Sequence, residues 1–215
     1  MIDRLLYPKD KFCYICRDES RNLDHALCME CRSRIEEIHM EFKLDSPYIN
    51  RCHSSLFYNN FTKDAIHRFK FEDKSYLYRT FHSYMLKTVE NNNIADYDVI
   101  IPVPVHWRKE AIRGYNQAYL LAKPLAMKVN KPILKDCLVK SKWTREQNTL
   151  SAYERKRNLL GSFKVRNRER ILGKRILLID DIFTTGSTLK ACSEALIKAG
   201  AGSVTALTLT STKME

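Results

Sequence analysis

The sequence predicts an α/β domain built on a mainly parallel sheet flanked by helices, preceded by a small N-terminal metal module. Three observations carry that expectation. Ile176-Leu177-Leu178-Ile179 is a short apolar run of the kind that forms a strand buried on both faces. Two acids and a hydroxyl-rich loop follow it, Asp180 to Thr188. A segment then places Leu189, Cys192, Leu196 and Ala199 on one helical face, with Gly200 where a C-terminal cap would stand. Near the other end, Cys13-Tyr14-Ile15-Cys16 and Cys28-Met29-Glu30-Cys31 repeat one metal-ligand spacing.

At 215 residues the chain can hold one full domain and a small appendage. Its 44% hydrophobic content supports a core. No stretch approaches the ~20 apolar residues of a membrane span. The start, Met1-Ile2-Asp3-Arg4-Leu5-Leu6-Tyr7-Pro8, lacks the apolar core and cleavage site of a signal peptide. A cytoplasmic location is the expectation, and there seven cysteines read as thiols or metal ligands rather than disulfides. Lys and Arg number 37 against 25 Asp and Glu, a formal net charge of +12. That balance favours anionic partners, phosphorylated small molecules or nucleic acid, without choosing between them. The absence of a Gly-x-x-x-x-Gly-Lys-Ser/Thr loop argues against a nucleoside triphosphatase. No recognition-helix module is visible, which argues against a sequence-specific DNA regulator.

Taken in order, the chain first presents its cysteines. Each Cys-x-x-Cys turn brings two sulfurs to one side of a tight loop, so Cys13, Cys16, Cys28 and Cys31 supply a tetrahedral thiolate set for structural zinc. Segments this short need a metal for folding energy; two disulfides or a redox pair are the competing readings. His25 is expected at the surface, and Cys52, Cys137 and Cys192 as core or incidental thiols. Residues 32–38 suggest a short helix, 45–50 a linker, and 54–58 a strand before a turn at Asn59-Asn60. Thr62 could cap a helix carrying Ala65, Ile66 and Phe69 on one face. Its tail, His67-Arg68-Phe69-Lys70-Phe71, interleaves basic and aromatic residues as single-stranded nucleic-acid binders do; an ordinary amphipathic helix end looks the same. Leu77, Phe81, Met85 and Val89 then recur at helical spacing.

Val99 to Pro104 reads as a second buried strand running into a proline-constrained turn. The basic residues His106, Arg108, Lys109 and Arg113 follow. Ala118, Leu121, Ala122, Leu125 and Val129 then share the inner face of a helix that Pro124 should kink. Residues 132–140 suggest a strand. Residues 141–158 form a long polar and basic stretch, of the kind used as a lid or tolerated as a surface insertion. An edge strand over 161–165 and a final strand over 203–209 complete the pattern.

The order strand, small-residue loop, helix start aims several backbone N–H groups at one point, reinforced by the helix dipole. The hydroxyls of Thr184, Thr185, Ser187 and Thr188 can donate to the same anion. Asp180 and Asp181 would repel a bare phosphate, so the ligand should also carry hydroxyls or a cation. The bland alternative is a strand–turn–helix whose acids cap the helix. Ile176 to Thr188 resembles the 5-phosphoribosyl-1-diphosphate (PRPP) signature of type I phosphoribosyltransferases, with Phe183 in place of a smaller aliphatic residue. A wider set of motifs resembles the ComF family: the paired cysteines; Phe69-Lys70-Phe71; Ile101-Pro102-Val103-Pro104-Val105; Arg113-Gly114-Tyr115-Asn116-Gln117-Ala118; Gln147-Asn148 with Leu150, Ser151, Arg155 and Asn158; and Asp180 to Thr188.

That resemblance implies a zinc ribbon over residues 1–45 joined to a type I phosphoribosyltransferase domain over 46–215. Residues 46–97 would form a hood or linking region and 98–215 the PRPP-binding core. It implies that Asp180 and Asp181 hold the ribose hydroxyls and that Thr184, Thr185, Gly186, Ser187 and Thr188 wrap the 5-phosphate. Val103, Pro104, Val105, His106, Arg108, Lys109 and Arg113 would form the pyrophosphate side. Lys142, Arg145, Gln147, Asn148 and Arg155 would belong to a flexible loop closing over the diphosphate, with magnesium accompanying PRPP. It further implies a role in natural competence, with single-stranded DNA and an ATP-dependent uptake helicase as partners.

Overall fold

The computed structural model describes residues 12–19, 22–143 and 161–212. In chain order its elements are α1 (Met29–Ser33), β1 (Glu37–Phe42), β2 (Arg51–Phe57), α2 (Asn60–Phe71), α3 (Tyr78–Asn91), β3 (Val99–Pro102), α4 (Trp107–Arg113), α5 (Gln117–Lys128), β4 (Leu138–Lys140), β5 (Phe163–Val165), β6 (Arg175–Phe183), α6 (Ser187–Lys198) and β7 (Ser203–Ser211). The main sheet has the order β1-β2-β7-β6-β3, and β4 and β5 form a separate antiparallel pair. Only β1 runs antiparallel within the main sheet; β2, β7, β6 and β3 are parallel neighbours. Their carboxyl ends therefore open on one edge, where ligands sit in open α/β sheets.

Alternate residues along a strand face opposite sides, and the core divides accordingly. Leu177 and Ile179 of β6 pack with Ile100, Leu207 and Leu209 in one cluster, which takes in the buried faces of α2, α3 and α5. Ile176 and Leu178 pack with Ile101, Val204 and Ala206 in the other, under Leu189, Cys192 and Leu196 of α6. A run apolar on both faces is what a strand between two helical layers requires.

The cysteine module shares the first of these cores. Tyr14, Ile15 and Leu27 pack in the cluster of Phe69 and Phe81. Arg68 Nη1 donates to the Ile15 carbonyl at 2.8 Å, and Thr80 Oγ1 donates to the His25 carbonyl at 2.9 Å. The module is thereby fastened to α2 and α3.

Several local expectations change. The helix suggested at 32–38 lies earlier, at Met29–Ser33, and Glu37 onward is strand. The Cys28 sulfur caps that helix by accepting from Cys31 N, so the metal-ligand turn sets the helix start. At α2 the cap is Asn59, which accepts from Thr62 N at 2.9 Å, while Thr62 Oγ1 donates to the Phe57 carbonyl. Residues 132–140 shorten to the three of β4, preceded by an isolated bridge from Ile133 to Ile100. Asp180 and Asp181 lie inside β6 rather than after it. Cys52, Cys137 and Cys192 are buried and His25 is exposed.

Candidate active site

A cleft of about 880 Å³ opens at the carboxyl edge of the sheet. Three chain segments line it. Val103, Pro104, Val105 and His106 follow β3, and Asp180, Asp181, Ile182, Thr184 and Thr188 come from β6 and its loop. The third segment follows β2: Asn60, Lys63, Asp64, His67, Lys70 and Phe71 are the outward positions of α2, opposite its buried Ala65, Ile66 and Phe69. Lys109, Arg113 and Lys140 complete the basic complement. Five Lys or Arg thus face three Asp, a difference of +2, so the cleft as a whole attracts anions.

The acid pair is asymmetric. Asp181 is buried and its Oδ2 takes the Lys70 ammonium at 2.9 Å. Asp180 makes a 2.9 Å contact to the Asp181 backbone N–H. Burial, and then the charge of Asp181, push the Asp180 carboxyl above its ordinary range, while Lys70 and Lys140 act to lower it. Burial likewise pulls Lys140 down, helped by Lys109. The pair is thus poised for a ligand that donates hydroxyls or brings positive charge.

Beyond β6 the chain turns at Gly186, whose φ of 72° is left-handed. A Cβ there would stand 2.7 Å from Leu44 Cδ1 and 2.9 Å from Phe183 Cε2, so only glycine lets the loop close against the sheet. Thr185 Oγ1 and Ser187 Oγ lie 2.8 Å apart at the start of α6. Thr184 and Thr188 line the cleft, and Thr185, Gly186 and Ser187 form the turn between them.

On the opposite wall, His106 caps α4: its Nδ1 accepts from Arg108 N at 3.2 Å. Burial, with Arg108, Lys140 and Lys109 nearby, lowers the imidazole's proton affinity. A neutral ring accepting at Nδ1 carries its proton on Nε2 and can donate there. Arg113 donates to Gln117 Oε1 and stacks over Phe71, with 4.9 Å from its guanidinium to the ring centre. Gln117 is buried, lines the cleft, and its Nε2 has no hydrogen-bond partner among the described residues. Asn116 caps α5 and donates to the Val103 carbonyl at 3.0 Å, tying the two turns of this wall together. Arg108 does not line the cleft, and Lys142 is exposed outside it. Arg145, Gln147, Asn148 and Arg155 lie outside the described residues.

Away from the cleft, the sulfurs of Cys13, Cys16, Cys28 and Cys31 all lie within 4.8 Å of one another. Cys16 and Cys28 are 3.8 Å apart. Zinc–sulfur bonds of ~2.3 Å in a tetrahedron put the sulfurs about 3.8 Å apart, so the set fits a zinc ion. Burial alone would raise the Cys13 thiol, but N–H donors of Cys28, Cys16 and Ile15 outweigh it and bring it to about 7. Backbone donors aimed at a sulfur favour the thiolate that a metal needs.

The family profile of the phosphoribosyl transferase domain matches residues 116–214. Competence protein ComFC of Bacillus subtilis (strain 168) is 30% identical to this chain, over 95% of this chain and 86% of that protein. The chain belongs to the ComF family. Competence protein F of Haemophilus influenzae is 29% identical over 87% of this chain and 91% of that protein. The DNA utilization protein YhgH of Escherichia coli (strain K12) is 27% identical over 89% and 86%. This ComF chain thus carries a type I phosphoribosyltransferase domain on a mostly parallel sheet, with a four-cysteine cluster compatible with a zinc ribbon. None of its described helices is long and apolar enough to cross a membrane.

The sequence does not place two cleft residues, Lys70 and Lys140, at the acid pair. Lys70 stands in Phe69-Lys70-Phe71, a ComF motif, yet its partner is 111 positions away, a pairing that only the tertiary fold makes. Lys140 ends β4, and no local pattern marks it.

Proposed function

We propose that this ComF protein binds PRPP with magnesium in the cleft and transfers the phosphoribosyl group to an acceptor, releasing pyrophosphate. One observation carries the reading: two acids, a hydroxyl loop on a helix N-terminus and a basic wall, from separate segments, line one cleft at the carboxyl ends of parallel strands. Thr184 and Thr188, with the backbone of residues 185–187, anchor the 5-phosphate, and binding energy at that remote group positions the ribose. Asp180 and Asp181 accept from the ribose hydroxyls. As the bond from the anomeric carbon to the diphosphate breaks, the electron pair leaves with pyrophosphate, and the two carboxylates offset the positive charge on the sugar; the acceptor's lone pair forms the new bond to that carbon, and its proton passes to solvent. Lys109, Arg113 and the Nε2–H of His106 receive the diphosphate, and Gln117 Nε2 adds a donor. Magnesium bound with PRPP would offset the diphosphate's charge; because Lys70 already holds Asp181, Asp180 is the carboxylate that would face it. Cys13, Cys16, Cys28 and Cys31 hold structural zinc in a module ahead of the transferase domain.

Isothermal titration with PRPP and Mg²⁺ tests the binding step. Wild type should bind. Asp180→Ala and Asp181→Ala should each weaken binding by roughly 10- to 150-fold, the loss of one charge-assisted hydrogen-bonding group. Equal binding by wild type and both variants, or none by wild type, sinks the reading.

The Lys70–Asp181 ion pair favours a second reading, since an ammonium already occupies a carboxylate that ribose would use. In it the protein is a non-catalytic adaptor of DNA uptake, holding single-stranded DNA and a helicase, with PRPP as a regulatory ligand or the site vestigial. PRPP binding without pyrophosphate release, in the presence of single-stranded DNA, supports the adaptor; release supports the transferase.

A further inference from the structure

We infer that Trp107 and Trp143, on the rim of the cleft, form a base-stacking platform on which single-stranded DNA lies. Helix α4 buries none of its residues, so core packing does not account for its sequence. Trp107 is 65% exposed and Trp143 is 52% exposed, a costly placement for the two largest apolar side chains in the molecule. They share a neighbour: their rings lie 5.7 and 5.1 Å from the ring of His106. Each also has a cation near it. The Arg108 guanidinium is 5.2 Å from the Trp107 ring centre, and Lys109 Nζ is 5.7 Å from that of Trp143. Lys142 adjoins Trp143 in the chain, and Glu110 is the sole acid of α4.

Exposed aromatic faces interleaved with basic side chains bind single-stranded nucleic acid, the rings stacking on bases while the cations meet phosphates. A protein partner would be expected to bring a matching apolar or acidic surface, but here each exposed ring has its own cation beside it, the pairing of a base with its phosphate that a nucleotide presents. The partner class rests on the DNA-handling reading, to which the relatives named for competence and DNA utilization also point. PRPP is not needed for it. Residues 67–71, whose basic and aromatic side chains also alternate, are used otherwise: Phe69 is buried and Lys70 pairs with Asp181.

The chain has two tryptophans, and both are in the platform, so selectively excited tryptophan emission reports on it alone. Titration of the full-length protein with oligo(dT) at low salt should quench tryptophan emission, and binding should weaken steeply as salt rises. By fluorescence anisotropy of labelled oligo(dT), Trp107→Ala and Trp143→Ala should each weaken binding roughly 5- to 150-fold, the range for losing one stacked base. Trp107→Phe should recover much of it. Thermal melting of the same variants checks folding, since both side chains are exposed. Oligo(dT) that binds without quenching and equally well to both variants overturns the platform and leaves DNA handling standing. No binding to wild type at low salt overturns both, whatever PRPP does.

Discussion

Asp180 sits on β6 beside Asp181 and within electrostatic reach of Lys70 and Lys140. Because burial and its neighbour raise its pKa, the folded chain keeps a proton that the unfolded chain loses just above the ordinary carboxylate range. Stability therefore falls as pH climbs from that range to the raised value. Asp180→Asn removes the cost. Its Tm should match wild type near pH 4 and exceed it at pH 8, by ~2–4 °C for each kcal/mol relieved. Differential scanning fluorimetry at the two pH values decides it; equal Tm at pH 8 would mean the ionised carboxylate is no load on the fold. The gain would come with lost ligand affinity, the usual exchange at a functional site. Much of this residue-scale chemistry is legible in the sequence, because adjacent acids followed by hydroxyls form a contiguous pattern. Lys70 is legible only as part of a motif. Its role depends on which way α2 turns, and that is decided by the burial of Ala65, Ile66 and Phe69.

Among the elements, the loop from β6 to α6 depends most on one backbone choice. Gly186→Ala forces a left-handed φ on a residue with a Cβ, costing about 1–2 kcal/mol. It also drives that Cβ into Leu44 and Phe183, a further ~1–3 kcal/mol of overpacking. Adding Leu44→Ala should return part of the second share and none of the first, which chemical denaturation of the three variants would resolve. Full recovery would show that the turn tolerates any residue. The apolar strands β3 and β6 are readable because periodicity and composition agree. Residues 32–38 mislead because Arg32 to Ile38 has helical composition, while the Cys28 cap starts a helix earlier and the sheet claims Glu37 to Phe42. Strand β2 is readable only from Ser54, since Arg51, Cys52 and His53 lack an apolar run and are held by pairing with β7.

For the whole molecule, the four-cysteine module and the cleft meet through α2. One side of that helix shares a core with Tyr14 and Ile15, and the other lines the cleft. Removing the proposed zinc with a chelator should therefore reach the cleft. Amide exchange in residues 60–71 should accelerate at least tenfold while α6, which packs in the opposite core, stays protected. Unchanged exchange in α2 would make the module a passenger. The sheet has a second long-range dependence, and it is one of time. Strand β2 lies between β1 and β7, and Ser54 meets Thr208 154 positions later, at 3.1 Å between their hydroxyls. At a synthesis rate of ~5–20 residues per second, β2 waits roughly 8–30 s on the ribosome with one edge unpaired. An apolar strand would be a hazard for that long. His53, Ser54 and Ser55 make β2 one of the most polar buried strands in the fold. Its polarity, costly in the finished core, makes the waiting strand a poorer template for pairing with another chain than an apolar strand would be.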